Sequence, residues 1–170
     1  MDVRNLVAVV TGGGSGLGAA SARHLASLGA KVAVLDVDVS AAEKTAAEVG
    51  GIAVHCDVTD TPAVTAALDR AAELGPIGAL VHCAGRGGPV RLLDRDGNPG
   101  DLDQYTDIVR VNLIGTFNMV RLTAARMARN PDAEERGVCV LTASVAAYEG
   151  QIGQTAYAAS KGAVAALTLP

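Results

Sequence analysis

Aromatic side chains are nearly missing from this chain. Its 170 residues hold no tryptophan, one phenylalanine and three tyrosines, so packing must rest on Ala, Val and Leu. Cysteine is scarce too. Cys56, Cys83 and Cys139 are widely spaced with no C-x-x-C and read as small buried hydrophobes. His24, His55 and His82 are equally scattered, so no metal site is expected. Positive charge has no excess: 14 Lys and Arg stand against 18 Asp and Glu, for a net charge of −4. That balance leaves no electrostatic footprint for nucleic acid. No apolar stretch reaches the ~18 residues a membrane span needs. The run Leu6 to Thr11 is too short and too poorly flanked for a signal peptide, so a leaderless cytoplasmic protein is expected.

Glycine is what the chain has in surplus. It carries 20, where average usage would give about 12. They follow no collagen-like period, so they mark tight turns and close backbone approaches.

Short apolar runs alternate with longer amphipathic stretches. Strands are expected at Leu6–Thr11, Lys31–Asp36, Ile52–Cys56, Ile77–Cys83 and Val138–Thr142. Helices are expected over Leu17–Leu28, after Ser40 with Glu43 as a capping box, after Thr61-Pro62, over Leu102–Arg129, and from near Tyr157. Arg86 to Asp103 holds two turn clusters and reads as a long surface loop or small hairpin. Strands apolar on both faces and alternating with helices mean a parallel sheet covered on both sides. The expected fold is α/β: a doubly wound, three-layer α/β/α sheet in one domain over residues 1–170.

The first strand runs into Thr11-Gly12-Gly13-Gly14-Ser15-Gly16-Leu17-Gly18. Strand, glycine loop and helix is the setting a phosphate cradle requires: bare positions admit a pyrophosphate to the backbone, and N–H groups at the helix start point at the anion. The spacing is T-G-x-x-x-G-x-G, on Gly12, Gly16 and Gly18. Asp36 ends the second strand, where a carboxylate can accept both hydroxyls of an adenosine ribose. It would also repel a 2′-phosphate, favouring NAD over NADP; otherwise Asp36 or Asp38 merely caps the next helix. Asp57, with Val58 beside it, follows the third strand at the same edge. It suits either an adenine amino group or a plain turn.

Tyr157 and Lys161 lie four apart on one helix face. A phenol's reference pKa of about 10 is too high for a base at neutral pH, and a neighbouring ammonium stabilises the phenolate. The pair therefore suits acid/base work in an alcohol–carbonyl interconversion. Ser144, just past the fifth strand, can hold the reacting oxygen. Alone, Y-x-x-x-K is a common exposed helix pair; its ordering after the glycine loop, the ribose acid and Ser144 gives it weight.

With Cys83-Ala84-Gly85 and Val111-Asn112-Leu113 added, the sequence resembles the short-chain dehydrogenase/reductase family over its whole length. The resemblance implies a Rossmann-type fold and NAD held by Gly12, Ser15, Gly16, Leu17, Gly18, Asp36, Asp57, Val58, Cys83, Ala84, Gly85, Tyr157 and Lys161. It implies a catalytic set of Ser144, Tyr157, Lys161 and Asn112, the last holding a water that links the lysine to solvent. Asn112-Leu-Ile-Gly-Thr-Phe-Asn and the stretch from Thr142 to Gln154 are similar to the branch that oxidises 3-hydroxyacyl-CoA thioesters or hydroxysteroids. Arg86, Arg91 and Arg95 would then face CoA phosphates or simply solvent. Val145 and Ile152 would line an acyl pocket or simply pack. A homo-oligomer, dimer or tetramer, is implied through the helices that begin at Leu102 and near Tyr157.

Two departures from the family stand out. His82 occupies a position where the family usually has asparagine, a residue that supports the central sheet. The family also normally continues beyond the equivalent of Pro170, through two more strands, a substrate lid and further helices. The expectation is an incomplete domain with its fifth strand as an open apolar edge. The alternative to a dehydrogenase is thus an impaired nucleotide-binding or oligomerisation module.

Overall fold

A computed structural model describes residues 2–130 and 135–170. Five strands, β1 (Val7–Thr11), β2 (Lys31–Asp36), β3 (Ile52–His55), β4 (Ile77–His82) and β5 (Val138–Leu141), form one parallel sheet in the order β3-β2-β1-β4-β5. The chain winds outward from β1 through β2 and β3, then returns to β1's other side for β4 and β5. The switch point therefore lies between β1 and β4, where doubly wound sheets open a crevice at their carboxyl edge.

Among the described residues there are six α-helices, α1 (Gly16–Ser27), α2 (Val39–Val49), α3 (Thr61–Ala72), α4 (Leu102–Val109), α5 (Gly115–Met127) and α6 (Thr155–Leu167); α1, α2, α3 and α5 pack on the sheet, while α4 and α6 pack against each other. Alternate β-residues serve opposite layers, as strand pleating requires. Val7, Val9, Leu35 and Leu80 pack with Val64 and Leu68 of α3 and Met119 of α5. Val10, Val32 and Val34 pack with Ala22 of α1 and Ala42 and Ala46 of α2. Alanine lines α1 and α2 because the helices sit close to the sheet, the consequence of a core without aromatics. Among the described residues, no helix is long and apolar enough to cross a membrane.

Three expectations need correction. The cap of α2 is Asp38, not Ser40. The Asp38 carboxylate accepts the Ala41 N–H and the Ser40 hydroxyl, so Ser40 lies within the helix and donates to the cap. The stretch from Leu102 is not one α-helix: a π-helical turn, Arg110–Ile114, separates α4 from α5. Finally, α6 begins at Thr155, two residues before Tyr157.

The segment after β4 is a small hairpin, with Leu93 paired antiparallel to Pro99 and Gly97 at φ +84° in its turn. Val90 anchors it by a parallel bridge to Gln154, ahead of α6. β5 is the open edge of the sheet, with Val138 41% and Val140 52% exposed.

Candidate active site

The carboxyl edges of β1 to β4 surround a cavity of about 530 Å³. Gly12, Ser15, Gly16, Leu17 and Gly18 line it from the glycine loop, and Asp36 from the end of β2. Asp57 and Val58 follow β3 into it, and Cys83, Ala84 and Gly85 follow β4. Val37, Cys56, Arg86 and Val111 also line it; the sequence sets Arg86 against CoA phosphates or solvent and does not mark the other three for the dinucleotide. The first two adjoin named residues. Val111 sits in the π turn, whose approach to the sheet edge has no sequence signal.

Two glycines shape the loop. A side chain at Gly12, at φ +61°, would begin 2.8 Å from the Ala84 nitrogen, and one at Gly18 would collide with the Gly12 carbonyl oxygen. The loop is thus pressed against both β4 and its own helix. Asp36 holds it from the far side by accepting the Gly14 N–H at 2.9 Å, and also accepts the Asp38 N–H. Aspartates Asp38, Asp60 and Asp101 cap α2, α3 and α4. At α1 the N-cap is Ser15, and its side chain makes no capping bond. The first N–H groups of α1 therefore remain available where the helix meets the cavity, and that end of the helix dipole favours an anion.

Asp57 forms a turn, its Oδ1 accepting the backbone N–H and hydroxyl of Thr59. The Thr59 backbone N–H is the largest influence holding its carboxyl below the ordinary range. Asp57 is charged and on the cavity wall, so the turn does not preclude a ligand contact.

Tyr157 and Lys161 stand on one face of α6, with Lys161 Nζ 5.8 Å from the Tyr157 ring centroid. Lys161 is buried, and Nζ donates to the Thr142 carbonyl oxygen at 2.5 Å. Burial pushes its ammonium pKa down. Tyr157 lines a second cavity of about 570 Å³, with Gly87, Gly88, Pro89, Ile152, Gly153 and Gln154. Ser144 caps the 3-10 turn Val145–Ala147, its Oγ accepting the Ala146 N–H. That leaves its hydroxyl proton free to donate.

Asn112 is fully buried in the π turn. Its amide donates to the Arg86 carbonyl at 2.9 Å and to Ser160 Oγ at 3.1 Å, while Oδ1 accepts the Arg86 N–H at 2.8 Å. It thereby staples the segment after β4 to α6. A Cβ built on Gly85 would lie 3.1 Å from Asn112 Oδ1 and 3.7 Å from Lys161 Nζ, so both polar groups converge on one glycine.

The family model described as short chain dehydrogenase matches residues 6–169. The chain belongs to the short-chain dehydrogenase family. It is 45% identical over 175 residues to the 3-hydroxyacyl-CoA dehydrogenase type-2 of Rattus norvegicus, covering 99% of this chain and 67% of that protein. The Drosophila melanogaster protein of the same name is 42% identical over 174 residues, covering 99% and 68%. The crystal structure of 3-hydroxyacyl-CoA dehydrogenase type-2 from Mycobacterium avium matches with a TM-score of 0.90 and 41% identity, covering 96% of this chain and 66% of that one. The chain thus spans about two thirds of the length of these relatives. Membership in the short-chain dehydrogenase family makes the chain an oxidoreductase and implies a nicotinamide cofactor.

Within that family frame the residues fall into two groups. The eleven expected on the dinucleotide from Gly12 to Gly85 all line the glycine-loop cavity. Tyr157 lines the neighbouring one, and Lys161 lies buried beneath it on the same helix.

Proposed function

We propose that the glycine-loop cavity takes NAD(H) and that Ser144, Tyr157 and Lys161 interconvert a secondary alcohol and a ketone, with 3-hydroxyacyl-CoA and 3-ketoacyl-CoA as the substrate pair. One observation carries the reading: an uncapped helix N-terminus and a carboxylate both line a glycine-floored cavity at the switch point. A dinucleotide needs an anion site and a ribose acceptor in that relation. Side-chain atoms at Gly12 or Gly18 would abolish the cradle. When bound, the nicotinamide supplies the hydride acceptor for alcohol oxidation and the hydride donor for the reverse.

The remaining chemistry belongs to the chain's own residues. Ser144 donates its free proton to the substrate oxygen. Tyr157 takes the alcohol proton during oxidation and returns it during reduction. Lys161 stabilises the phenolate by its charge. Asn112 retains one Oδ1 lone pair to hold the water that links Lys161 to solvent. The second cavity, opening on Tyr157 with Ile152 at its mouth, takes the acyl chain. The names of the matched relatives support the thioester over a hydroxysteroid. Leu102 of α4, Ile114 of the π turn and Phe117 of α5 are each more than half exposed, which suits a homo-oligomer joined through that stretch.

The test is NADH titration followed by reduction of acetoacetyl-CoA. Saturable NADH binding with consumption of NADH supports the reading. Absence of binding overturns it, and binding without turnover reduces the chain to a nucleotide-binding module. Cofactor choice is tested separately. Asp36→Asn removes a charge-assisted bond to the ribose hydroxyls, worth about 1.5–3 kcal/mol. NADH affinity should fall about 10- to 100-fold, while NADPH binding should hold or improve. Equal losses for both cofactors would remove Asp36 from the selection.

A further inference from the structure

His82 is the residue the sequence marks as out of pattern, and the structure gives it unusual surroundings. It ends β4, is 2% exposed, and pairs in register with Thr11 on one side and Leu141 on the other. Its Nδ1 lies 2.7 Å from Thr11 Oγ1. The same Thr11 oxygen accepts the Ala84 N–H at 3.2 Å. Nε2 has no hydrogen-bond partner among the described residues.

Proton counting fixes the tautomer. With the proton on Nδ1, both the Thr11 hydroxyl proton and the Nε2 lone pair would be buried without partners. With the proton on Nε2, the Thr11 hydroxyl donates to Nδ1, and only the Nε2 N–H is left over. Each buried polar group without a partner is costly, so the second arrangement is preferred. It also leaves Thr11 Oγ1 free to accept from Ala84. That bond fixes the spacing between β1 and the segment after β4, and Gly12 and Ala84, which meet across it, both line the glycine-loop cavity.

Charging the imidazole would convert Nδ1 from acceptor to donor, reversing the bond to Thr11 Oγ1 and leaving the buried Thr11 hydroxyl proton without its acceptor. The surroundings offer no help to a cation. β1 presents the neutral Thr11, and β5 presents Leu141 and Thr142. Asn112, in the π turn, is neutral. The charged group acting on His82 is Lys161 of α6, itself a cation; Cys83 is the thiol next in the chain. Burial first, and Lys161 second, lower the His82 pKa to about 4.

We propose that His82 is a positioning residue for the nucleotide cavity: as the neutral Nε2–H tautomer it accepts from the Thr11 hydroxyl and so orients the oxygen that holds the Ala84 N–H, and its protonation in acid reverses that joint and strands the hydroxyl proton. The link to nucleotide grip rests on the NAD(H) reading above; the tautomer and the acid response do not.

Three measurements on the full chain decide it. Long-range imidazole nitrogen–proton correlation spectra of the free protein, assigned by the signals lost in His82→Asn, should show His82 as neutral Nε2–H at pH 7. An Nδ1–H or charged ring overturns the proposal. Urea unfolding gives the second. The unfolded imidazole takes its proton near the ordinary 6.5 and the folded one near about 4, so stability is full above pH 6.5 and lost as pH falls toward 4. Between pH 7.5 and 5 the folding constant of the wild type should fall on the order of 20-fold more than that of His82→Asn; parallel losses overturn it. At pH 7.5, His82→Leu, which cannot accept from Thr11, should bind NADH at least fivefold more weakly, and His82→Asn should restore binding. Unchanged binding in His82→Leu overturns the positioning role. If neither wild type nor variant binds NADH, the cofactor reading fails, and the spectra and unfolding still decide the state of His82. Should His82→Asn fail to fold, assignment through Thr11→Val and the wild-type spectra decide it.

Discussion

Replacing Tyr157 with Phe should cut acetoacetyl-CoA reduction by about 10²- to 10⁴-fold, the usual contribution of a positioned acid or base, while leaving NADH affinity within about twofold. The substitution removes one oxygen and keeps the ring. Tyr157 is only partly buried and lines the second cavity, whereas the eleven residues expected on the nucleotide line the glycine-loop cavity. Binding and chemistry are thus carried by separate surfaces, which predicts a fall in turnover without a fall in affinity. Steady-state rates beside NADH titrations check it. Turnover equal to that of the wild type would remove Tyr157 from the mechanism. A matching loss of affinity would instead make it a binding residue.

The strands were legible from sequence because each is a short apolar run bounded by polar or glycine residues; β2 falls on Lys31–Asp36, as its pattern requires. Being parallel, the strands bring their carboxyl ends together, so correct strand ends also placed the loop, Asp36, Asp57 and Cys83-Ala84-Gly85 around one cavity. The π turn was not legible. One extra residue in a helical turn alters backbone hydrogen bonding and leaves the composition unchanged, yet it carries Asn112 into the core beside Ser160. The cap of α2 was misread because Asp38 and Ser40 are both good cap residues two positions apart. The partners of Lys161 and His82 were hidden for a different reason. Lys161 bonds a backbone carbonyl, which every residue has. His82 meets a threonine 71 positions away, and that pairing follows from strand register alone.

Three glycine substitutions separate fold from cradle. A Cβ at Gly18 would meet the Gly12 carbonyl carbon at 2.7 Å and its oxygen closer still. Both are backbone atoms, so relief requires moving the loop. Gly12 has little room to retreat, because even a Cβ built on it would begin 2.8 Å from the Ala84 nitrogen. Gly18→Ala should therefore lose about 1–3 kcal/mol or more of stability and should abolish NADH binding. Gly16 differs. It sits at φ +50° with open space around its Cβ position, so alanine there costs only the left-handed strain, roughly 1–2 kcal/mol. Gly50, the residue ending α2 at φ +62°, has the same open surroundings but lies outside the cavity lining. Gly16→Ala and Gly50→Ala should then lose similar stability, a few degrees each in melting temperature. Only the Gly16 variant should also lose NADH affinity, by tenfold or more, because its new methyl stands where an anion must approach the first N–H groups of α1. If both variants bind NADH equally well, the anion does not lie on that helix end and the cradle must be sought elsewhere in the cavity.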